Sequence, residues 1–205
     1  GFSELLTSDM EISPNERDEF MQVISKNSDL LLKLINDILD LSRIESGKMS
    51  FTLTNCDLNE LLSHIYRTHQ LLMPPGVALK IQLPVLPAII QADLHRLTQV
   101  ITNLINNAAK FTTQGYILIK YDYTQDKRWI QISVTDTGKG IPADKQAQVF
   151  ERFNKLDEFA QGTGLGLAIC QIIIEHFGGY ITLESKEGEG STFIVTLPYT
   201  PGLSV

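Results

Sequence analysis

At Gly47 the hydrophobic period of this chain changes, and that change limits what it can fold into. Before it, Phe20, Ile24, Asn27, Leu31, Leu34, Ile38 and Leu41 recur at spacings of four and three. That is the roughly 3.5-residue period of a coiled-coil seam or helical bundle. Ser13-Pro14-Asn15-Glu16 reads as a capping box with proline at the first helical position, so the spacing predicts one helix over residues 14–47, ended by Gly47. Val23, Leu30, Leu32, Ile35 and Leu39 widen the apolar stripe beyond a two-stranded seam, which calls for several surrounding helices. Upstream, Phe2, Leu5 and Leu6 suit the end of an antiparallel partner helix, with residues 7–12 as the turn.

From Ser50 onward short runs of period two alternate with capped helices. MSFTLTNC, VALKIQL and AIIQA read as strands, and Asp57 caps a helix through Leu72 before MPPG breaks the chain. Asp93 caps a helix over residues 94–110. GYILIKYDY and RWIQISVTD form a hairpin around Thr124-Gln125-Asp126-Lys127, and YITLES and STFIVTLP form another, turned at residues 186–190. A last helix runs from about Gly164 to Phe177. The expected class is α+β: an α/β sandwich with one mixed sheet and helices over one face, preceded by a partial helical hairpin. The expected division is residues 1–49 and residues 50–205.

Composition narrows the function classes. Hydrophobic content of 43% and charged content of 20% are those of a globular protein. The net charge of −7 argues against nucleic acid as a partner, which needs a broad basic surface. It leaves room for a nucleotide, which needs only a few local cations and backbone amides. No apolar run approaches the length of a membrane span, and the first residues lack the order of a signal peptide. Cys56 and Cys170 have no metal-ligand spacing and read as two reduced thiols.

Four elements in the second half carry chemistry. On the Asp93-capped helix, Asn103, Asn107 and Lys110 fall on one face beside the apolar one. Two carboxamides and an ammonium stacked this way can meet a metal–triphosphate, because Mg²⁺ accepts amide and phosphate oxygens and keeps waters; a solvated polar face fits equally well. Asp136 ends a strand, where a carboxylate can accept from the exocyclic amine of adenine. Gly138 and Gly140 let backbone pass close beneath the ring, although D-T-G is also plain turn chemistry. Phe150 and Phe153 lie in VFERF. Gly162-Thr163-Gly164-Leu165-Gly166 leads into a helix, whose N-terminal amides and dipole favour an anion. No Gly-Lys-Ser/Thr follows, so it is no P-loop. Residues 154–161 between the last two elements would make a short lid.

In this order the four elements resemble the N, G1, F and G2 boxes of two-component sensor histidine kinases. ADLHRLTQVITNLINNAAKFT, DTGKGIP, VFERF, GTGLGLAI and EGEGSTFIVTLP all match that pattern. DLLLKLINDILDLSRIESGKM is similar to the second helix of the family's dimerisation and histidine-phosphotransfer hairpin. The resemblance implies a Bergerat/GHKL-type fold that binds ATP and Mg²⁺. Asn107 would ligate the metal, with Asn103 beside it on phosphate or metal, and Lys110 would touch phosphate. Asp136 would read adenine, Phe111 and Ile141 would line the ring, and Thr192 would lie near Asp136. Gly162, Thr163, Gly164, Leu165 and Gly166 would cradle phosphate through backbone, and Arg152 would help to orient the γ-phosphate.

The resemblance further implies transfer of the γ-phosphoryl group to a histidine, then to an aspartate of a response-regulator receiver domain. The resemblance also implies a parent that is a homodimer through the helical hairpin, and a cytoplasmic domain of a membrane-anchored protein. The acceptor motif, a histidine followed by an acidic residue and then R-T-P, is absent from the 205 residues. The four histidines, His64, His69, His95 and His176, lack its context. Two other classes stay open: a non-kinase ATPase of the same superfamily, which usually carries a glutamate at the position of Asn103, and a nucleotide-binding scaffold.

Overall fold

A computed structural model of the chain describes residues 13–154 and 163–201. The expected partner helix at Phe2, Leu5 and Leu6, its turn, most of the expected lid and Gly162 lie outside the described residues. The chain divides into two compact units, residues 1–49 with 159–163, and residues 50–158 with 164–205.

The first unit is built on α1 (Pro14–Glu45). Its start is the capping box read from the sequence: the Glu16 amide donates to Ser13 Oγ at 3.3 Å, and the Ser13 amide donates to Glu16 Oε2 at 3.0 Å. Gly47 follows the helix with φ of +63°, the left-handed conformation that a helix end favours. Leu31, Leu32, Leu34, Ile35, Ile38 and Leu39 are exposed in the single chain, whereas the acids Asp37 and Asp40 are buried.

The second unit runs β1 (Thr54–Asp57), α2 (Leu58–Gln70), β2 (Val77–Gln82), β3 (Ile89–Ala92), α3 (Leu94–Phe111), β4 (Gly115–Tyr123), β5 (Trp129–Asp136), α4 (Ala143–Gln146), α5 (Gly166–His176), β6 (Tyr180–Lys186) and β7 (Gly190–Pro198). Its main sheet has the order β2-β4-β5-β7-β6. Strands β2 and β4 are parallel and the other neighbours antiparallel. A parallel pair needs a long crossover, and β3 with α3 provide it. Helices α2, α3 and α5 pack on one face of this sheet. There Ile117 and Ile119 of β4, Ile130 and Ile132 of β5, and Val195 of β7 are fully buried against Leu97, Ile101 and Leu104 of α3 and Ile173 of α5. Lys80, Gln82, Lys120 and Asp122 alternate outward on the other face and are exposed.

Two departures from the sequence pattern have tertiary causes. The sequence predicts one sheet, and β1 and β3 instead pair with each other as a separate two-stranded sheet. The strand expected from Met49 begins only at Thr54. Residues 50–53 are held by other partners: the Phe51 ring stacks on His176, centroids 3.7 Å apart, and meets Phe177 edge-on. The Thr52 amide donates to Asp93 Oδ2 at 2.9 Å, while Asp93 Oδ1 caps α3 through the Arg96 amide at 3.1 Å. Burial would raise the Asp93 carboxyl, but the backbone amides of Thr52, Arg96 and His95 outweigh it and hold the group below the usual carboxylate range.

Ile132 lies at the centre of the core face and Leu71 is 90% exposed. Ile132→Ala is therefore expected to destabilise the second unit by about 2–5 kcal/mol, and Leu71→Ala by less than about 0.5 kcal/mol. Urea unfolding followed by fluorescence of Trp129, the single tryptophan, checks both.

Candidate functional site

Helix α3 is the spine of the site. Along its polar face Asn103 is buried, Asn107 half-buried and Lys110 exposed, so the face emerges from the core toward its C-terminal end. At the deep end α3 lies against the start of α5. A Cβ on Gly166 would stand 2.7 Å from both Nδ2 and Oδ1 of Asn103, closer than any side chain tolerates. No side chain caps α5, whose first residue is Gly166 and whose first turn carries no acid, which leaves that end suited to an anion.

At the other end of α3 the loop after β5 is stitched to the helix terminus. The Lys139 amide donates to the Phe111 carbonyl at 3.2 Å, and a Cβ on Gly138 would come within 2.4 Å of that carbonyl oxygen. The sequence suggests that Gly138 and Gly140 clear space for a ring. The structure gives their absent side chains another reason, close contact with the protein's own backbone. Gly140, at φ +65°, would place a Cβ 2.0 Å from the Lys186 carbonyl oxygen, in the hairpin that joins β6 to β7.

Asp136 closes β5 on the buried face of the sheet, and its Oδ1 accepts from the Gly138 amide at 2.8 Å. Burial pushes its carboxyl up from the usual range, and the backbone hydrogen bonds of Gly138 and Ser191 only partly oppose this. Phe111 is half-buried, and its ring has Lys110 Nζ at 4.8 Å and Lys139 Nζ at 4.9 Å from the centroid. The half-buried Ile141 donates its amide to Ser185 Oγ at 2.8 Å.

Several expected site residues stand elsewhere. Thr192 does not accompany Asp136: it pairs with Thr135, their hydroxyls 3.0 Å apart, on the opposite face of the sheet. Ser191 is the residue in register with Asp136, because successive side chains of a strand alternate faces. Thr163 belongs to the first unit, where its hydroxyl donates to Asp37 Oδ2 at 2.7 Å. Leu165 is buried, so only its backbone can face a ligand. Gly164, at φ +71°, packs on the bend of the third element, its carbonyl accepting from the Phe153 amide at 2.9 Å. Arg152 is exposed in that bend. Phe150 packs edge-on to Phe193, whereas Phe153 is 65% exposed.

Sequence reasoning missed Lys139, Ser185 and Ser191. Lys139 lies inside DTGKGIP and was visible as a cation in a glycine-rich loop. Ser185 Oγ reaches the Gly190 carbonyl and Ser191 Oγ, each at 3.0 Å, a role that depends on hairpin register and leaves no local signal.

The spine thus carries two separate contacts. Asn103 touches α5 and Phe111 touches the β5 loop, eight residues or about 12 Å apart along the helix. The interval suits an elongated ligand with an anionic end at α5 and a ring end at Asp136. Among the described residues no group of three or more His, Cys, Asp or Glu could hold a metal ion. Any cation here would rest on amide oxygens together with ligand oxygens, and Mg²⁺ fits such a donor set.

The sequence profile of the histidine kinase-, DNA gyrase B- and HSP90-like ATPases matches residues 92–201, more than half of the chain. The chain belongs to that family. The profile of the histidine kinase A phospho-acceptor domain matches residues 1–47, and the two in this order mark a two-component sensor histidine kinase. The circadian input-output histidine kinase CikA of Synechococcus elongatus is 40% identical over 188 residues, which are 88% of this chain and 25% of CikA. The chain therefore spans about a quarter of the length of that relative. Among solved structures, full-length ShkA in complex with AMPPNP superposes with a TM-score of 0.80 at 27% identity, over 96% of this chain and 41% of ShkA. Histidine kinase ThkA in complex with response regulator protein TrrA superposes with a TM-score of 0.75 over all of this chain and 57% of that one; at 24% identity it attests the fold alone. Among the described residues no helix is long and apolar enough to cross a membrane.

Because the Asp136 carboxyl is raised by burial, its charged form is disfavoured in the folded state. Its contribution to stability is greatest when protonated and is lost as pH rises through its folded pKa. Asp136→Asn cannot ionise, so the melting temperature of the variant minus that of the unmutated protein is expected to increase from acid to neutral pH. Thermal melts of both across that range, without ligand, check the sign.

Proposed function

We propose that the second unit holds ATP·Mg²⁺ along α3 and donates its γ-phosphoryl group to a histidine of the parent kinase, from which it passes to an aspartate of a response-regulator receiver domain. The observation that carries this reading is the double contact of α3, with α5 at Asn103 and with the Asp136 loop at Phe111. Adenine lies at Asp136, which accepts from the exocyclic amine, with Phe111, Gly138, Gly140 and Ile141 around the ring. The triphosphate runs toward the start of α5, where the backbone of Gly164, Leu165 and Gly166 meets it. Asn107 offers its amide oxygen to Mg²⁺ and Asn103 stands beside it; Lys110 offsets phosphate charge and Arg152 helps to orient the γ-phosphate. The bound cation would supply charge neutralisation across the phosphates.

In the transfer a neutral imidazole nitrogen forms the N–P bond while the bond from the γ-phosphorus to its bridging oxygen breaks, and ADP leaves with that electron pair. The protein's part is to position and to offset charge. ShkA bound to AMPPNP supports the ligand. The exposed apolar stripe of α1 supports homodimerisation of the parent through its helical hairpin. The division into a hairpin part, residues 1–49, and an ATP-binding part, residues 50–205, belongs to the same reading.

A water-activating ATPase fits less well. Asn103 occupies the position where such enzymes usually carry a glutamate, and it is a buried amide bonded to Cys170, with no basicity to offer. Calorimetric titration with a non-hydrolysable ATP analogue and Mg²⁺ is expected to show one site per chain. Asn107→Ala and Asp136→Ala should each weaken binding at least about tenfold, the scale of a charged or metal-directed contact; heat unchanged in both variants would refute the assignment. The 205-residue polypeptide itself should acquire no acid-labile, base-stable label from γ-labelled ATP. His64 and His69 lie on α2, His95 on the first turn of α3, and His176 against Phe51.

A further inference from the structure

Asn103 and Asn107, the two carboxamides on the polar face of α3, are not held alike. Asn107 is half-buried, whereas Asn103 is buried and its Nδ2 donates to Cys170 Sγ at 3.3 Å, across the contact between α3 and α5. Cys170 lies one turn into α5 from Gly166 and is 1% exposed. Its own S–H reaches the Val100 carbonyl at 3.9 Å, so the sulfur meets the amide as an acceptor. An acceptor takes the amino end of a carboxamide and repels its oxygen. Gly166 lies close against the same group, since a Cβ there would lie 2.7 Å from both Nδ2 and Oδ1. Sulfur and glycine lie four residues apart on one face of α5: the glycine leaves room for the amide of Asn103, and the sulfur selects its amino end.

We infer that Cys170 is a positioning residue for the metal–nucleotide complex: by holding the amino end of Asn103, it presents Oδ1 toward the ligand, so that Asn103 serves Mg²⁺ or its coordinated water as an acceptor and does not donate to phosphate. The inference rests on the reading of this site as an ATP·Mg²⁺ pocket and adds to it the choice between phosphate and metal for Asn103, together with the group that makes the choice. A reversed amide would turn its N–H toward the cation, where it repels. The thiol does no chemistry of its own in this role; its burial and its bond to Val100 make it a fixed acceptor.

The test compares Cys170→Ala, which removes the acceptor, with Cys170→Ser, which restores one. Affinity for a non-hydrolysable ATP analogue is measured by calorimetry with Mg²⁺ and again in EDTA, with melting temperature recorded for each variant. Cys170→Ala is expected to lose about fivefold of the affinity gained from Mg²⁺, the scale of one neutral hydrogen bond, with affinity in EDTA within about twofold of the unmutated protein. Cys170→Ser should recover most of the gain. If the alanine variant does not fold, Cys170→Val, which lacks the acceptor and fills the space, is read in the same way. An unchanged metal-dependent gain in the variant lacking the acceptor overturns the inference, as does equal weakening with and without Mg²⁺, or a serine variant no better than alanine. An unmutated protein that binds no nucleotide refutes the pocket itself, and the inference falls with it.

Discussion

The second unit depends on close approach between α3 and two neighbouring backbones. At Gly166 and at Gly138 the missing side chain lets α5 and the β5 loop come within van der Waals distance of the spine. Glycine has a conformational cost in the unfolded chain, and here it is offset by the buried faces that the approach closes. A larger residue at Gly138 would push the β5 loop away from the end of α3, and one at Gly166 would displace the Asn103 carboxamide.

This arrangement gives the glycines of the second and fourth elements different work. Gly140 and Gly164 have positive φ and set the course of their loops, whereas Gly138 and Gly166 have ordinary backbones and are required by what lies against them. The site is then lined by amides, two lysines near one aromatic ring and a carboxylate whose charge burial disfavours. A hydrogen-bond donor from a base bound there would favour the ionised form of Asp136, and ligand and proton would then be linked at that residue.

Much of the architecture was legible from pattern. The capping box at Ser13, the caps at Asp57 and Asp93, and the alternation in β4 and β5 are local signals, and the elements stand where those signals put them, to within a few residues at their ends. What pattern could not show was pairing. Met49–Leu53 has strand-like alternation, yet Phe51 stacks on His176 and Thr52 is tied to Asp93, so pairing starts only at Thr54. Ser191 and Thr192 are adjacent hydroxyl residues in one motif, and only register against β5 tells which of them shares a face with Asp136.

By itself the sequence determined the element order, the change of period at Gly47 and the order of the four boxes, and through them the family. These are properties of neighbours along the chain, expressed in propensity, capping and period. The tertiary structure alone decided that Asn103 is buried against a sulfur, that Thr163 bonds with Asp37, and that Gly138 is crowded by the Phe111 backbone and Gly166 by the Asn103 side chain. Such facts belong to residues far apart in sequence, and folding brings them together through a shared core that no local pattern encodes.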